Sequence, residues 1–97
     1  MEKYDVSMEE LQLKQLSGAI IVDVRSSQEF AEGHIEGAIN IPEYEIKNNV
    51  ENILNDKDKE IIVYCSSGVR SLKARKKLAK LGYNNEYNLY QGLENWQ

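Results

Sequence analysis

The 97-residue chain holds one cysteine, one histidine and one proline, and each scarcity narrows what it can be. A single cysteine excludes an internal disulfide. Together with a single histidine, it also excludes a zinc or iron–sulfur site built from those ligands alone. No metal and no organic cofactor is expected, and a reducing, cytoplasmic setting is the simplest expectation. The one proline and the six scattered glycines form no linker-like stretch, so a single domain over residues 1–97 is expected. No apolar run approaches the roughly 18 residues of a membrane-spanning helix. The longest runs, Ala19 to Val22 and Ile61 to Cys65, are strand-sized. The opening Met1-Glu2-Lys3-Tyr4-Asp5 has no basic patch leading into an apolar segment, so neither a secretory signal nor a membrane role is expected.

Excess positive charge is also missing. The net charge is −4, which argues against nucleic acid or an anionic membrane as partner. The charge is uneven: the first 48 residues carry 4 basic and 10 acidic side chains, and the remainder carries 8 and 6. Hydrophobic residues make up 41% of the chain, in the range of domains that fold around a core rather than stay disordered.

What is present is an alternation of strand and helix signals. Ser7 followed by Glu10 is a capping box that predicts a short helix over residues 8–16, stopped by Gly18. Ala19 to Val24 reads as a strand buried on both faces. Ser26 and Ser27 start a short helical turn that ends at Gly33, and Ala38 to Ile41 is a second short strand stopped by Pro42. Residues 43–54 show helical spacing, Glu60 to Tyr64 reads as a third buried strand, Ser71 to Leu81 as a helix, and Glu86 to Leu89 as a last strand. The alternation predicts an α/β sandwich with a mostly parallel central sheet. Ligands of such sheets bind beyond the carboxyl ends of the strands, which points to Asp23–Ser27 and Cys65–Arg70.

The second of these places carries the chemistry. A buried strand ends in Cys65, a short loop follows, and a helix begins. The sulfur then lies over a helix N-terminus, where unpaired N–H groups and the helix dipole favour negative charge. A thiol so placed ionises more easily than free cysteine, whose pKa is about 8.5. Gly68 lets the loop fold back so that several N–H groups face one point, and Arg70 offers a cationic fork to close the ring. The plain alternative is a cysteine packed as a small hydrophobe, with Ser66 and Ser67 capping the helix and Arg70 in solvent. The combination of strand, Cys, Gly and Arg at this spacing favours function.

These residues resemble the rhodanese-like domain, a sulfurtransferase family. Val22-Asp23-Val24-Arg25 is similar to the family's D-x-R signature. The stretch Glu29-Phe30-Ala31-Glu32-Gly33-His34-Ile35-Glu36-Gly37-Ala38-Ile39-Asn40-Ile41-Pro42 resembles its E-[FY]-x-x-G-H-I-x-G-A-x-x-I-P segment. Cys65-Ser66-Ser67-Gly68-Val69-Arg70-Ser71 resembles its C-x-x-G-x-R-S loop. Leu81-Gly82-Tyr83, Gln91-Gly92 and Trp96 resemble its C-terminal signature, with Gln91 where the family has a first glycine. The resemblance implies a three-layer sandwich, a small mostly parallel sheet flanked by helices. It implies that Cys65 takes sulfane sulfur from a donor such as thiosulfate as a persulfide and yields it to cyanide, a small thiol or a protein thiol. The N–H groups from Ser66 through Ser67, Gly68 and Val69 to Arg70 would cradle it, with Ser71 completing the loop motif. The alternative is a persulfide carrier or interaction module with little small-molecule turnover. Phosphatases with C-x5-R loops are disfavoured, because here the arginine follows Cys65 after four residues and the next position is Ser71.

Other candidates read more plainly. Asp23 and Arg25 are either pocket wall or structural, and the structural reading pairs Arg25 with Glu29. His34 is expected to hold structure rather than move protons. Arg75 is a charge on a mostly apolar arc of its helix. Lys73, Lys76, Lys77 and Lys80 form a basic arc that is either plain solvated surface or a guide for an anionic donor or acidic partner. The chain stops one residue after Trp96, as a compact or trimmed family member would.

Overall fold

The computed structural model describes residues 3–95. Both predicted capping boxes form. Ser7 Oγ accepts from the Glu10 N–H at 3.1 Å while the Glu10 carboxylate accepts from the Ser7 N–H at 3.0 Å, starting helix α1 (Met8–Leu16). Ser26 and Glu29 repeat the arrangement at the start of α2 (Ser27–Glu32). The strands are β1 (Asp5–Val6), β2 (Ile20–Asp23), β3 (Ile39–Asn40), β4 (Ile61–Tyr64) and β5 (Glu86–Leu89). Two longer helices, α3 (Ile46–Ile53) and α4 (Val69–Lys80), complete the set, with a turn of 3₁₀ helix at Glu43–Glu45 and another at Leu93–Asn95. Among the described residues no helix is long and apolar enough to cross a membrane.

The five strands form one sheet in the order β1-β5-β4-β2-β3, and every pairing is parallel. Strand β4 lies at the centre and all four of its residues are buried, which is why its sequence Ile-Ile-Val-Tyr is apolar without alternation. Its side chains still alternate between faces. Ile61, Val63 and Cys65 join Ile46 and Val50 of α3 and Ala74 and Leu78 of α4 in one core, while Ile62 and Tyr64 join Met8 and Leu11 of α1 in the other. Helices therefore cover both faces, and the carboxyl ends of β2 and β4 open at the same edge of the molecule.

Several expectations need correction. Strand β1 has no counterpart in the sequence reading: it is two residues long and exists through its pairing with Asn88 and Leu89. The helix expected from Ser71 begins at Val69, because Gly68 rather than a serine occupies its N-cap. Residues 43–54 divide into the 3₁₀ turn and α3 rather than one helix. Arg25 does not pair with Glu29. Its Nη2 and Nε donate to the Asp23 carboxylate at 2.7 and 3.1 Å, and Nη2 also reaches the Gly33 carbonyl at 2.6 Å. Asp23 is fully buried, so its charge takes the nearest cation, two residues away on the same strand end. Arg75, the charge on the apolar arc, is neutralised by Glu86 of β5 at 2.9 Å and packs over the Tyr4 ring. Trp96 of the C-terminal signature lies outside the described residues.

Candidate active site

Strand β4 delivers Cys65 at the sheet edge, and the chain turns over it within three residues. Gly68 has φ +95°, a left-handed conformation that a side chain resists, and an added Cβ would lie 2.3 Å from the Tyr90 carbonyl oxygen. The turn aims donors back at the sulfur. Cys65 Sγ accepts from the Gly68 N–H at 3.1 Å and the Ser71 N–H at 3.4 Å, and the Ser71 hydroxyl also lies 3.4 Å away. Residue Cys65 is 1% exposed. Burial pushes its thiol pKa up, but the Ser71 hydroxyl and the N–H groups of Ser71, Gly68 and Ser67 outweigh it and hold the pKa below the ordinary thiol range. Two backbone N–H groups, those of Gly68 and Ser71, thus face the sulfur, the second from one residue beyond the expected Ser66–Arg70 cradle. Ser71 is buried, while Ser67 and Val69 face outward.

A strap from the far end of the chain fixes the loop. The Leu93 N–H donates to the Cys65 carbonyl at 2.8 Å and the Glu94 N–H to the Ser66 carbonyl at 3.0 Å. The strap approaches so closely that a Cβ on Gly92, whose φ is +75°, would stand 2.2 Å from the Ser66 oxygen. In the sequence Gly92 stands only in the C-terminal signature, 24 residues after Gly68, and the glycine beside Gln91 is the one local sign of this close approach. Gly92→Ala is expected to cost roughly 1–3 kcal/mol of stability through left-handed strain and to displace the loop. Chemical denaturation and the alkylation rate of Cys65 measure the two effects separately.

Arg70 does not close the ring over the sulfur. Its two terminal nitrogens donate to the two oxygens of Glu29 at 2.8 and 3.0 Å, and Nη2 comes within 3.4 Å of Ser66 Oγ. The hydrogen bonds from Arg70, followed by those from Ser26, lower the Glu29 pKa to about 2. The pair is therefore intact throughout the neutral range and weakens only as pH falls toward that value. This pairing was also missed, since its partners stand 41 residues apart. Asp23 and Arg25 bind each other, Gly33 and, through backbone carbonyls, Asn40; among the described residues no hydrogen bond joins them to residues 65–71. His34 pairs through Nδ1 with the Phe30 carbonyl oxygen at 2.8 Å and stacks on the Phe30 ring, a structural placement. Of the lysine arc, Lys77 is held by Glu43, whereas Lys73, Lys76 and Lys80 are exposed.

The chain is similar to known proteins in sequence and in fold. Residues 7–97 match the sequence profile of the rhodanese-like domain. The chain is 41% identical to the uncharacterized protein YqhL of Bacillus subtilis over 78 residues, 80% of this chain and 60% of that protein. It is 33% identical to the thiosulfate sulfurtransferase GlpE of Pseudomonas putida over 87 residues, 90% of this chain and 77% of that one. The chain thus spans less than two thirds of YqhL, and 55% of YibN of Escherichia coli, but most of GlpE. The structure of the human single-domain sulfurtransferase TSTD1 superposes with a TM-score of 0.86 at 30% identity, covering 98% of this chain and 96% of that one. With its parallel sheet, its cysteine loop and these relatives, the chain belongs to the rhodanese-like domain family.

Proposed function

We propose that the domain is a sulfurtransferase in which Cys65 is the nucleophile and persulfide carrier. The observation that carries this reading is the sulfur itself, held at the end of β4 by two backbone N–H groups and the Ser71 hydroxyl. Those donors stabilise a thiolate in a buried site where it would otherwise be costly. With thiosulfate, the thiolate electron pair attacks the outer sulfur, the sulfur–sulfur bond of the donor breaks, and sulfite leaves with its electrons. The product is the Cys65 persulfide anion. An acceptor such as cyanide or a thiolate then attacks the outer sulfur and returns Cys65 as thiolate, so charge and atoms balance in both steps. A nucleophile that reacts as its thiolate needs no separate base in the transfer step itself. Cys65 is the only cysteine in the sequence, so the acceptor comes from outside these 97 residues.

Ser66, Ser67, Gly68 and Val69 supply the backbone of the cradle, and Ser71 supplies both its N–H and its hydroxyl. In this reading Arg70 stands at the mouth of the loop, held by Glu29 and close to Ser66, instead of gripping the sulfur. The test is turnover with thiosulfate and cyanide, read as thiocyanate. Loss of turnover on removal of Cys65 supports the reading, and thiocyanate formation without Cys65 overturns it.

The pH dependence follows from the direction of the Cys65 shift. The alkylation rate is expected to rise with pH and to level off with a midpoint lower than that of an ordinary cysteine thiol. Ser71→Ala removes the hydroxyl and is expected to move that midpoint upward with little loss of fold. A midpoint unmoved by this variant would show that the hydroxyl does not support the thiolate.

A further inference from the structure

Arg70 is the only charged side chain between Cys65 and Ser71, and Glu29 engages both of its terminal nitrogens. Other cations of α4 do not replace it: Arg75 is held by Glu86 on β5, and Lys73 and Lys76 face solvent. The mouth of the loop therefore carries a closed ion pair of zero net charge. Dianionic thiosulfate gains most from a free cation, and a closed pair withholds that attraction.

We propose that Glu29 is a specificity-determining residue: by holding Arg70 in a closed pair, it sets the site for sulfane sulfur carried on singly charged organic donors rather than on dianionic thiosulfate. This rests on the sulfurtransferase reading above and refines its donor. Such donors include organic persulfides and thiosulfonates. With a thiosulfonate, the Cys65 thiolate takes the outer sulfur and a sulfinate leaves with the electron pair of the broken bond. One negative charge remains on the Cys65 persulfide and one on the sulfinate, as many as entered.

Glu29 also caps α2, so the test must keep the cap. Its Oε1 accepts from the Ser26 N–H at 3.0 Å, a bond the amide oxygen of glutamine can make, and glutamine is an accepted third residue of a capping box. Glu29→Gln thus preserves the helix start while removing the charge that holds Arg70. Two donors are compared, thiosulfate and the methanethiosulfonate anion, with kcat and KM measured for each.

Coulomb energy scales with the ligand's charge, so the factor for a dianion is the square of that for a monoanion. Glu29→Gln is expected to lower the thiosulfate KM about ten-fold and the thiosulfonate KM about three-fold, with kcat changed less than about two-fold. The gain shrinks at high salt and is lost when Arg70→Gln is added. A purely structural role for Glu29 would instead change both donors alike and lower kcat. Unchanged or raised thiosulfate KM in Glu29→Gln overturns the inference.

The wild-type protein gives a second test that needs no variant. Its thiosulfate KM is expected to be nearly independent of ionic strength, and a KM that climbs steeply with salt would show an open cationic clamp. A wild type that forms no persulfide with either donor, read by intact mass, overturns the sulfurtransferase reading itself and this inference with it. Persulfide formation with the wrong charge preference overturns the inference alone.

Discussion

Cys65→Ser is expected to abolish the proposed sulfur transfer with every donor and acceptor while the protein remains folded. The Gly68 and Ser71 N–H groups and the Ser71 hydroxyl are placed around a large, polarisable atom that ionises below the ordinary thiol range. A serine hydroxyl in the same cradle stays protonated near neutral pH and cannot hold a sulfane sulfur. The variant keeps the site's shape and offers the same donors an oxygen acceptor, so the fold is expected to lose no more than about 1–2 kcal/mol. Thiocyanate production from thiosulfate and cyanide measures the activity, and urea unfolding measures the fold. Residual turnover above the uncatalysed rate in the serine variant would place the sulfur on another residue. Unfolding of the variant would make Cys65 a packing residue first.

Asp23→Ala has the largest expected effect on stability. Asp23 is fully buried at the end of β2, and it accepts from the Arg25 N–H at 2.9 Å as well as from the guanidinium. Removing the carboxylate leaves the Arg25 charge in a site where its side chain is only 9% exposed. The Gly33 carbonyl at 2.6 Å is then its main remaining partner. Breaking one side of a buried pair costs about 3–5 kcal/mol, because the orphaned charge carries its full desolvation penalty. Against the roughly 5–15 kcal/mol by which domains of this kind are stable, that is a large fraction. The melting temperature is expected to fall on the order of 20 °C, given about 4–8 °C per kcal/mol for a chain of this size. Replacing Asp23 and Arg25 together by apolar residues is expected to cost less than Asp23→Ala alone, since no charge is then stranded. A melting temperature unchanged in Asp23→Ala would show that the pair is not what holds this end of the sheet.

Both predictions rest on features of unequal legibility in the sequence. Ser7 with Glu10 and Ser26 with Glu29 announce the starts of α1 and α2, because a capping box is a local bargain between residues three apart. Strand β4 and Cys65 are equally plain: four buried apolar residues, then a cysteine, then a glycine three places on. The partners of the charges were harder to read. Arg25 and Glu29 stand four apart, a spacing that suggests a pair only if both lie on one helix. Arg25 precedes α2, however, and its guanidinium folds back onto Asp23, while Glu29 turns to cap Ser26 and meet Arg70. Sequence spacing carries no record of which loop α4 would present to α2. Strand β1 shows the same limit, since two residues have no periodicity and gain their structure from β5. The strap after β5 was hidden for a related reason. Its contribution is made by backbone N–H groups of Leu93 and Glu94, which any residue except proline could supply, and only Gly92 betrays the closeness of the approach. Arg75 is the converse case. It looked misplaced on an apolar arc until Glu86, on a strand eleven residues later, supplied the opposite charge.

Persulfide formation on Cys65 is tested most directly by the intact mass of the protein after incubation with thiosulfate and, separately, with the methanethiosulfonate anion. The wild type is expected to gain one sulfur atom, removed by cyanide as thiocyanate and absent from Cys65→Ser. No gain from either donor, in a folded protein whose Cys65 still reacts with iodoacetamide, would contradict persulfide formation on Cys65, as would a sulfur that persists on the serine variant.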